Sequence, residues 1–125
     1  MRYIILVIMS FWMIACSAHD EHYYSLHPDA LQQALKQCPG QQPKQVSCEQ
    51  LKTVALRVND LANQLRANPQ DYGKQILALQ ETVAKQETAL QQNAKQPDLD
   101  AELNNNKQQL KERLAIVKWL ESPES

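Results

Sequence analysis

The sequence is poor in glycine and in aromatic residues: it has two glycines in 125 residues, and Phe, Trp and Tyr make up 6%. Because strands favour aromatic residues and their turns favour glycine, this composition disfavours an all-β protein. The chain also lacks a net charge of one sign, with a formal value of −1 and basic residues spread along it, which argues against nucleic-acid binding. Gln, Ala, Leu and Lys are abundant, and all are good helix formers. Together with the short length, they predict one small all-α domain behind an N-terminal leader.

The sequence also lacks the motifs of common catalytic sites. It has no serine nucleophile elbow, no glycine-rich phosphate loop and no His-Glu-x-x-His sequence. The acidic residues are spread at intervals that do not converge on one position. The cluster His19-Asp20-Glu21-His22 raises a metal hypothesis, but a short polar segment does not hold ligands in fixed geometry, and we interpret it as a solvated linker. We therefore expect no enzymatic activity, no catalytic residues, no metal site and no cofactor.

One strongly hydrophobic run is present, at the N-terminus. Residues 3–15 are hydrophobic except for Ser10, and a single positive charge, Arg2, precedes them. The run is too short for a membrane-spanning helix, which needs roughly 20 apolar residues, and it fits the core of a signal peptide, which needs about 7–15. The sequence therefore predicts a signal peptide over residues 1–15.

The end of this run matches the pattern at which bacterial lipoproteins are cut and lipidated. That pattern has an aliphatic residue three positions before a cysteine and a small residue directly before it, and Met13-Ile14-Ala15-Cys16 satisfies it with methionine as an uncommon first member. The alternative is a membrane anchor with an incidental cysteine; we favour lipidation of Cys16. Acyl chains such as palmitate contribute about 0.8 kcal/mol per buried methylene, which gives stable anchoring. Ser17, rather than aspartate, follows the cysteine and favours the periplasmic face of the outer membrane over the inner membrane.

Two cysteines remain after Cys16, and an even pair in the oxidising periplasm predicts a disulfide. Cys38 and Cys48 are separated by nine residues that include Gly40 and two prolines, so they flank a loop. A disulfide there closes a loop of about eleven residues, which stabilises the fold by about 3 kcal/mol in the chain-entropy model. A zinc site and a redox pair are the alternatives. We favour the disulfide because no paired histidines lie nearby and the spacing is not that of thioredoxin-type motifs.

Proline-containing breaks divide the mature chain into a polar tether over 16–26, a disulfide-linked pair of helices over 27–68 and a helical hairpin over 69–121. The first helix begins at Pro28, which suits a first helical position, with Asp29 in the first turn. Its apolar stripe recurs at helical spacing and consists of Leu31, Ala34, Leu35 and Cys38.

The second helix has the clearest start signal in the chain. Ser47 as N-cap with Gln50 three residues later forms a capping box, flanked by Val46 and Leu51 as a hydrophobic staple. The helix ends at Asn68-Pro69. One face of the helix is apolar and consists of Leu51, Val54, Ala55, Val58, Leu61, Ala62 and Leu65.

Two longer helices follow, one from Pro69 or Asp71 to Asn93 and one from Pro97 onward, and each carries a heptad seam. The break between them predicts an antiparallel hairpin with arms of about 35 Å. The seam of the first arm consists of Tyr72, Ile76, Leu79, Val83, Gln86 and Leu90. The seam of the second arm consists of Leu99, Leu103, Asn106, Leu110, Leu114 and Val117.

Two groups of hairpin residues have open roles. Gln86 and Asn106 are polar members of the seam, and they either set its register or are loosely packed; we favour loose packing. The end of the second arm carries more apolar residues than one heptad seam needs, namely Ile116, Trp119 and Leu120. They either cap the first two helices or form a surface for a partner.

The N-terminal half resembles a known family of bacterial lipoproteins. The cysteine of the processing site is followed by "YYSLHPDALQQALKQC", a proline-containing loop and "SCEQLKTVA". From residue 1 to about residue 60, this order is similar to the EexN-type entry-exclusion lipoproteins. The long hairpin lies beyond the family pattern. The matching positions are Tyr24, Pro28, Asp29, Leu35, Cys38, Cys48 and Ala55.

The resemblance implies a function without catalysis. Members of the family are encoded beside conjugative type IV secretion systems and act in the recipient cell to stop a like plasmid from entering. For this chain the resemblance implies contact with a secretion or conjugation component. The alternative is a structural envelope lipoprotein that acts as a spacer or assembly factor through its hairpin, and a third hypothesis is an inhibitor of a periplasmic enzyme. We therefore expect the membrane and a protein as partners, and no nucleic acid; the oligomeric state stays open.

Overall fold

The computed structural model describes residues 20–41 and 45–122, and every regular element within these ranges is an α-helix. This confirms the predicted all-α fold class. The signal peptide, Cys16 and the first residues of the tether lie outside the described residues. The helices, in chain order, are α1 (Glu21–Leu26), α2 (Pro28–Lys36), α3 (Cys48–Ala67), α4 (Pro69–Gln92) and α5 (Pro97–Glu121).

Local signals in the sequence set where the helices begin and end. Ser47 caps α3: its hydroxyl accepts from the Gln50 amide at 3.2 Å, and its own amide donates to the Gln50 side chain at 2.8 Å, which confirms the capping box. Asn68 follows α3 and caps α4, where its side chain accepts from the Asp71 amide at 3.0 Å. Proline is the first residue of α2, α4 and α5, because a first-turn amide has no partner within its own helix.

The predicted tether over 16–26 is wrong for its last six residues, which form α1. Asp20 caps this helix, and its carboxylate accepts from the Tyr23 amide at 2.9 Å. A helix this short is not stable by itself. It is held by burial of Tyr24, which is 6% exposed and belongs to the hydrophobic core. The tether prediction failed because the stabilising contacts of α1 are tertiary.

A disulfide joins the end of α2 to the start of α3. Cys38 and Cys48 form the predicted bond with their Cα atoms 6.0 Å apart. The apolar stripe of α2 contacts α3, with Leu31 and Ala34 buried. The predicted apolar face of α3 is buried or half-buried along its length. Because the bond closes the connecting loop, it restrains these two apolar surfaces against each other.

The two long helices contact each other and meet α3 at the end that carries Tyr72. We call this end the base, and the opposite end, with the turn over 93–96, the tip. At the base, the Tyr72 hydroxyl donates to the Arg113 carbonyl oxygen at 2.9 Å. Nearer the tip, the Asn106 side-chain amide donates to Gln86 Oε1 at 3.0 Å. Tyr72 near the start of α4 therefore contacts Arg113 in the later half of α5, and Gln86 near the end of α4 contacts Asn106 in the earlier half of α5.

Two features of α4 and α5 differ from the sequence-based expectations. Gln86 and Asn106 are hydrogen-bonded to each other, and Gln86 is buried, so they are paired and not loosely packed. Leu114, predicted to lie in the seam of α5, is 44% exposed. The neighbouring Ile116 is fully buried instead, because α5 packs against α3 as well as α4 near the base and its buried stripe turns towards both.

Candidate functional site

A groove of about 370 Å³ lies at the base, between the junction of α1 with α2 and the last two turns of α5. We call it the base groove. Two charged side chains, Asp29 and Lys118, line it together with apolar residues. The groove lies where the chain breaks between α1 and α2: Pro28 disfavours the helical conformation for His27, which has φ −130° and ψ 76°, so α2 starts as a separate helix. Its apolar lining comes from Leu26, Pro28, Ala30, Ala115 and Trp119.

A hydrogen bond crosses the groove between residues 90 positions apart in the sequence. The indole Nε1–H of Trp119 donates to Oδ1 of Asp29 at 3.0 Å. Asp29 lies in the first turn of α2, where the helix dipole favours a negative charge. Trp119 lies in the last turns of α5 and is half-buried against the core, and Ile116 is buried in the same core. The C-terminal residues therefore cap the first helices, which was one of their two predicted roles.

Stacked rings fix the junction between α1 and α2. Nδ1–H of His27 donates to the Tyr23 carbonyl oxygen at 2.8 Å, and the two rings stack with their centroids 4.2 Å apart. Because a carbonyl oxygen only accepts, this bond places a ring proton on Nδ1. Tyr23 also meets the ring of Tyr24 edge-on at 5.4 Å. These contacts stabilise the junction after which Asp29 accepts the hydrogen bond from Trp119 of α5.

The residues that carry the family resemblance take part in packing and in the groove. Tyr24 and Pro28 are buried, and Leu35 is half-buried against the core. Asp29 is exposed and lines the base groove. Cys16, the predicted lipidation site, lies outside the described residues, so its lipidation stays a prediction. Two of the seven matching positions, Pro28 and Asp29, therefore line the base groove.

A buried carboxylate between α1, α3 and α5 was not predicted from the sequence. Glu112 is 4% exposed, and its Oε1 accepts from the Gln108 side-chain amide at 3.1 Å. Its Oε2 lies 2.7 Å from Nη2 of Arg57, close enough for an ion pair but without hydrogen-bond alignment. Gln108 also donates to the hydroxyl of Ser25 at 3.4 Å. The group ties α1 and α3 to α5 beside a cavity of about 140 Å³.

Tyr72 joins α4 to α5 at the base. In addition to the bond from its hydroxyl, the Arg113 guanidinium lies over its ring, 5.2 Å from the centroid. Burial raises the pKa of Tyr72 above its ordinary value, and the charge of Arg113 opposes this with a smaller effect. The hydroxyl therefore stays protonated at neutral pH and serves as a structural donor.

The described residues contain no group of three or more His, Cys, Asp or Glu side chains positioned to hold a metal ion. Within the same ranges, no helix is long and apolar enough to cross a membrane. The base groove itself is an apolar recess with the charged side chains of Asp29 and Lys118 in its lining. No protein-family model matches the chain, and neither a curated protein nor a solved structure matches it.

Proposed function

We propose that the chain is a small lipid-anchored periplasmic protein that acts by binding another protein, without catalysis. Its proposed partner is a component of a type IV secretion or conjugation apparatus, in line with the entry-exclusion lipoproteins that it resembles. The disulfide between Cys38 and Cys48 supports a periplasmic location, since such bonds persist in oxidising compartments. The hydrophobic leader and Cys16 support the lipid anchor, and Ser17 supports the outer membrane.

The observation that carries this proposal is the composition of the base groove. It combines Pro28 and Asp29, which belong to the family-like N-terminal half, with Lys118 and Trp119 from the last helix. A half-buried tryptophan among apolar side chains with charged groups at the edge is typical of binding hot spots. A volume of about 370 Å³ is large enough for an anchoring side chain of a partner. The proposal therefore assigns the partner to this surface.

The test is a mating assay in which recipient cells carry the wild-type protein or one of three variants. Trp119→Ala removes the aromatic side chain of the groove, and Cys16→Ala removes the lipidation site. Leu77→Ala is the control, because Leu77 is an exposed apolar residue of α4 that does not line the groove. Immunoblots and circular dichroism establish that all four proteins are present and folded.

We expect wild type and Leu77→Ala to reduce entry of a like plasmid, and both Trp119→Ala and Cys16→Ala to lose this effect. Equal plasmid entry with and without the wild-type protein would contradict the entry-exclusion proposal. If Cys16→Ala loses exclusion and Trp119→Ala does not, the result would support the lipid anchor and contradict the base groove as the binding surface.

A structural role in the envelope is the second candidate, and the α4–α5 pair favours it. The bond between Gln86 and Asn106 fixes how the two helices align, and an ion pair of 2.7 Å between Glu87 and Lys107 lies next to it. A pair with a defined register is suited to act as a spacer or to assemble with other copies. Sedimentation of the chain without its lipid tests this: an oligomer that Leu77→Glu dissociates would favour assembly, and a monomer would count against it.

A further inference from the structure

The predicted seam of α4 and α5 is buried unevenly. At the base, Tyr72 and Ile116 belong to the hydrophobic core, and Ile76 packs against it. Five other apolar residues of the seam are only half-buried and are not among the described residues that pack against this core. Two helices cover such a seam from two sides only, and further helices complete the core of a bundle. We call these five residues the open seam: Leu79, Val83, Leu90, Leu99 and Leu110.

The polar members of the seam do not oppose the burial of the open seam. Gln86 and Asn106 lie between its apolar residues, and the Asn106 side-chain amide donates to Gln86 Oε1 at 3.0 Å. A buried donor or acceptor is costly when it has no partner. Because this bond lies within one chain, a surface that covers the open seam leaves this donor and this acceptor paired.

Charge is divided along α5 beside the open seam. Residues 97–106, the acidic half, hold three acidic and no basic residues. Residues 107–118, the basic half, hold four basic residues and one acidic residue, Glu112, which is buried. The acidic side chains are Asp98, Asp100 and Glu102, and the basic side chains are Lys107, Lys111, Arg113 and Lys118.

The charges of the neighbouring α4 are paired within the chain. Glu81 forms an ion pair with Lys85 at 2.7 Å, and Glu87 forms one with Lys107 of α5 at 2.7 Å. Among the described residues, the acidic half of α5 and the exposed Lys111 take part in no ion pair. The unpaired charge on this part of the molecule therefore lies on α5, negative at one end and positive at the other.

We propose that two copies of the chain associate through their open seams, with the two α5 helices antiparallel about a twofold axis near Asn105. This inference rests on the second candidate function, assembly through the α4–α5 pair. In the antiparallel arrangement the acidic half of each α5 faces the basic half of the other, and symmetry makes this contact twice. A parallel arrangement places the two acidic halves against each other. The two open seams cover each other in a four-helix arrangement.

Charge reversal on α5 tests this arrangement. The first variant, with Asp100→Lys and Glu102→Lys, makes the acidic half basic. The second variant, with Lys107→Glu and Lys111→Glu, makes the basic half acidic, and it includes Glu87→Lys so that the ion pair within the chain is kept with its signs exchanged. A third variant combines all five substitutions. Sedimentation equilibrium of the chain from residue 17 onward, which contains every described residue, measures the dissociation constant of each protein and of an equimolar mixture of the first two variants.

We expect wild type to form a dimer that weakens as the ionic strength rises, because salt screens exposed charges. The first and second variants alone should each weaken association by about tenfold or more, since every reversed charge acts in both symmetry-related contacts. The mixture and the combined variant should associate as wild type does. Glu49→Lys with Asp60→Lys, two exposed residues of α3, changes the net charge as the first variant does and should leave association unchanged. Circular dichroism establishes that every variant is helical.

The other outcomes separate this inference from the functions proposed above. A wild-type monomer at all concentrations would overturn both the dimer and the assembly candidate, but not partner binding at the base groove. A mixture that associates more tightly than wild type and the combined variant would indicate parallel copies and overturn the antiparallel arrangement. A dimer that Leu77→Glu dissociates and neither charge-reversed variant weakens would place association at the exposed Leu77 and overturn the open seam, while the assembly candidate would stand.

Discussion

Replacement of Arg57 by alanine tests how much the ion pair of the buried Glu112 carboxylate contributes to stability. Glu112 is almost completely buried, and Arg57 supplies its opposite charge at 2.7 Å. Removing one partner of a buried pair costs about 3–5 kcal/mol, because a charge is left buried without compensation. The Arg57 side chain is 56% exposed, so water screens the pair and reaches the site after truncation. We therefore expect Arg57→Ala to lower the free energy of unfolding by about 1–2 kcal/mol.

A second substitution shows whether the buried carboxylate is the cause of this loss. Glu112→Gln removes the charge and keeps the shape of the side chain, and its amide oxygen can still accept from Gln108. We expect Glu112→Gln to lower the free energy of unfolding by about 1 kcal/mol. In the double variant no charge is left buried, so the two losses do not add. The double variant should be about as stable as Glu112→Gln alone.

Urea unfolding of the chain from residue 17 onward, followed by circular dichroism at neutral pH, measures these effects. For small proteins the dependence on urea is about 1–3 kcal/mol per molar, so the expected loss in Arg57→Ala shifts the midpoint by roughly 1 M. Lys85→Ala is the control, because it breaks an ion pair with Glu81 in which both side chains are exposed, and we expect no change in midpoint. Equal midpoints for Arg57→Ala and Lys85→Ala, or additive losses in the double variant, would refute the reasoning.

Three further predictions concern the disulfide, the base and the core. Replacing both Cys38 and Cys48 by serine should lower the free energy of unfolding by about 3 kcal/mol, as measured by urea denaturation, and an unchanged midpoint would contradict the restraint. Burial raises the pKa of Tyr72 in the folded state above the unfolded-state value near 10.0. The contribution of the protonated hydroxyl to the free energy of unfolding is therefore fully present below pH 10.0 and is lost as the pH rises through the folded-state pKa. The difference in free energy of unfolding between wild type and Tyr72→Phe, measured by urea denaturation, should therefore shrink above pH 10.0. A difference that stays constant with pH would contradict the raised pKa of Tyr72. Ile116→Ala should lower the free energy of unfolding by about 2–4 kcal/mol, because Ile116 is fully buried. Leu114→Ala should lower it by less than about 1 kcal/mol, because Leu114 is 44% exposed. Thermal unfolding measures both losses, and equal losses would contradict the assignment of Ile116 to the buried stripe of α5.

Features that depend on neighbours in the sequence were predictable. The capping box of Ser47 and Gln50 places the start of α3, and Asn68-Pro69 places its end, because these signals act within one turn of the chain. The disulfide followed from the count of cysteines and the loop between them. The all-α fold followed from helix-forming residues in apolar periodicity.

Features that depend on distant partners were not predictable. The six residues of α1 are polar enough to resemble a tether, and burial of Tyr24 in the folded core is what holds them. Glu112 gave no signal, because a glutamate on a helix is usually exposed and its partner Arg57 belongs to another helix. The bond between Asp29 and Trp119 spans 90 positions, so the base groove could not be assembled from local patterns.

Crosslinking and purification from intact cells tests the central claim most directly. Wild type is compared with Cys16→Ala and Trp119→Ala, with Leu77→Ala as the matched control. The proposal predicts that wild type and Leu77→Ala recover a secretion or conjugation component, and that the other two variants do not. Recovery of the same proteins by all four, or of only the protein itself, would contradict partner binding through the base groove of a membrane-anchored protein.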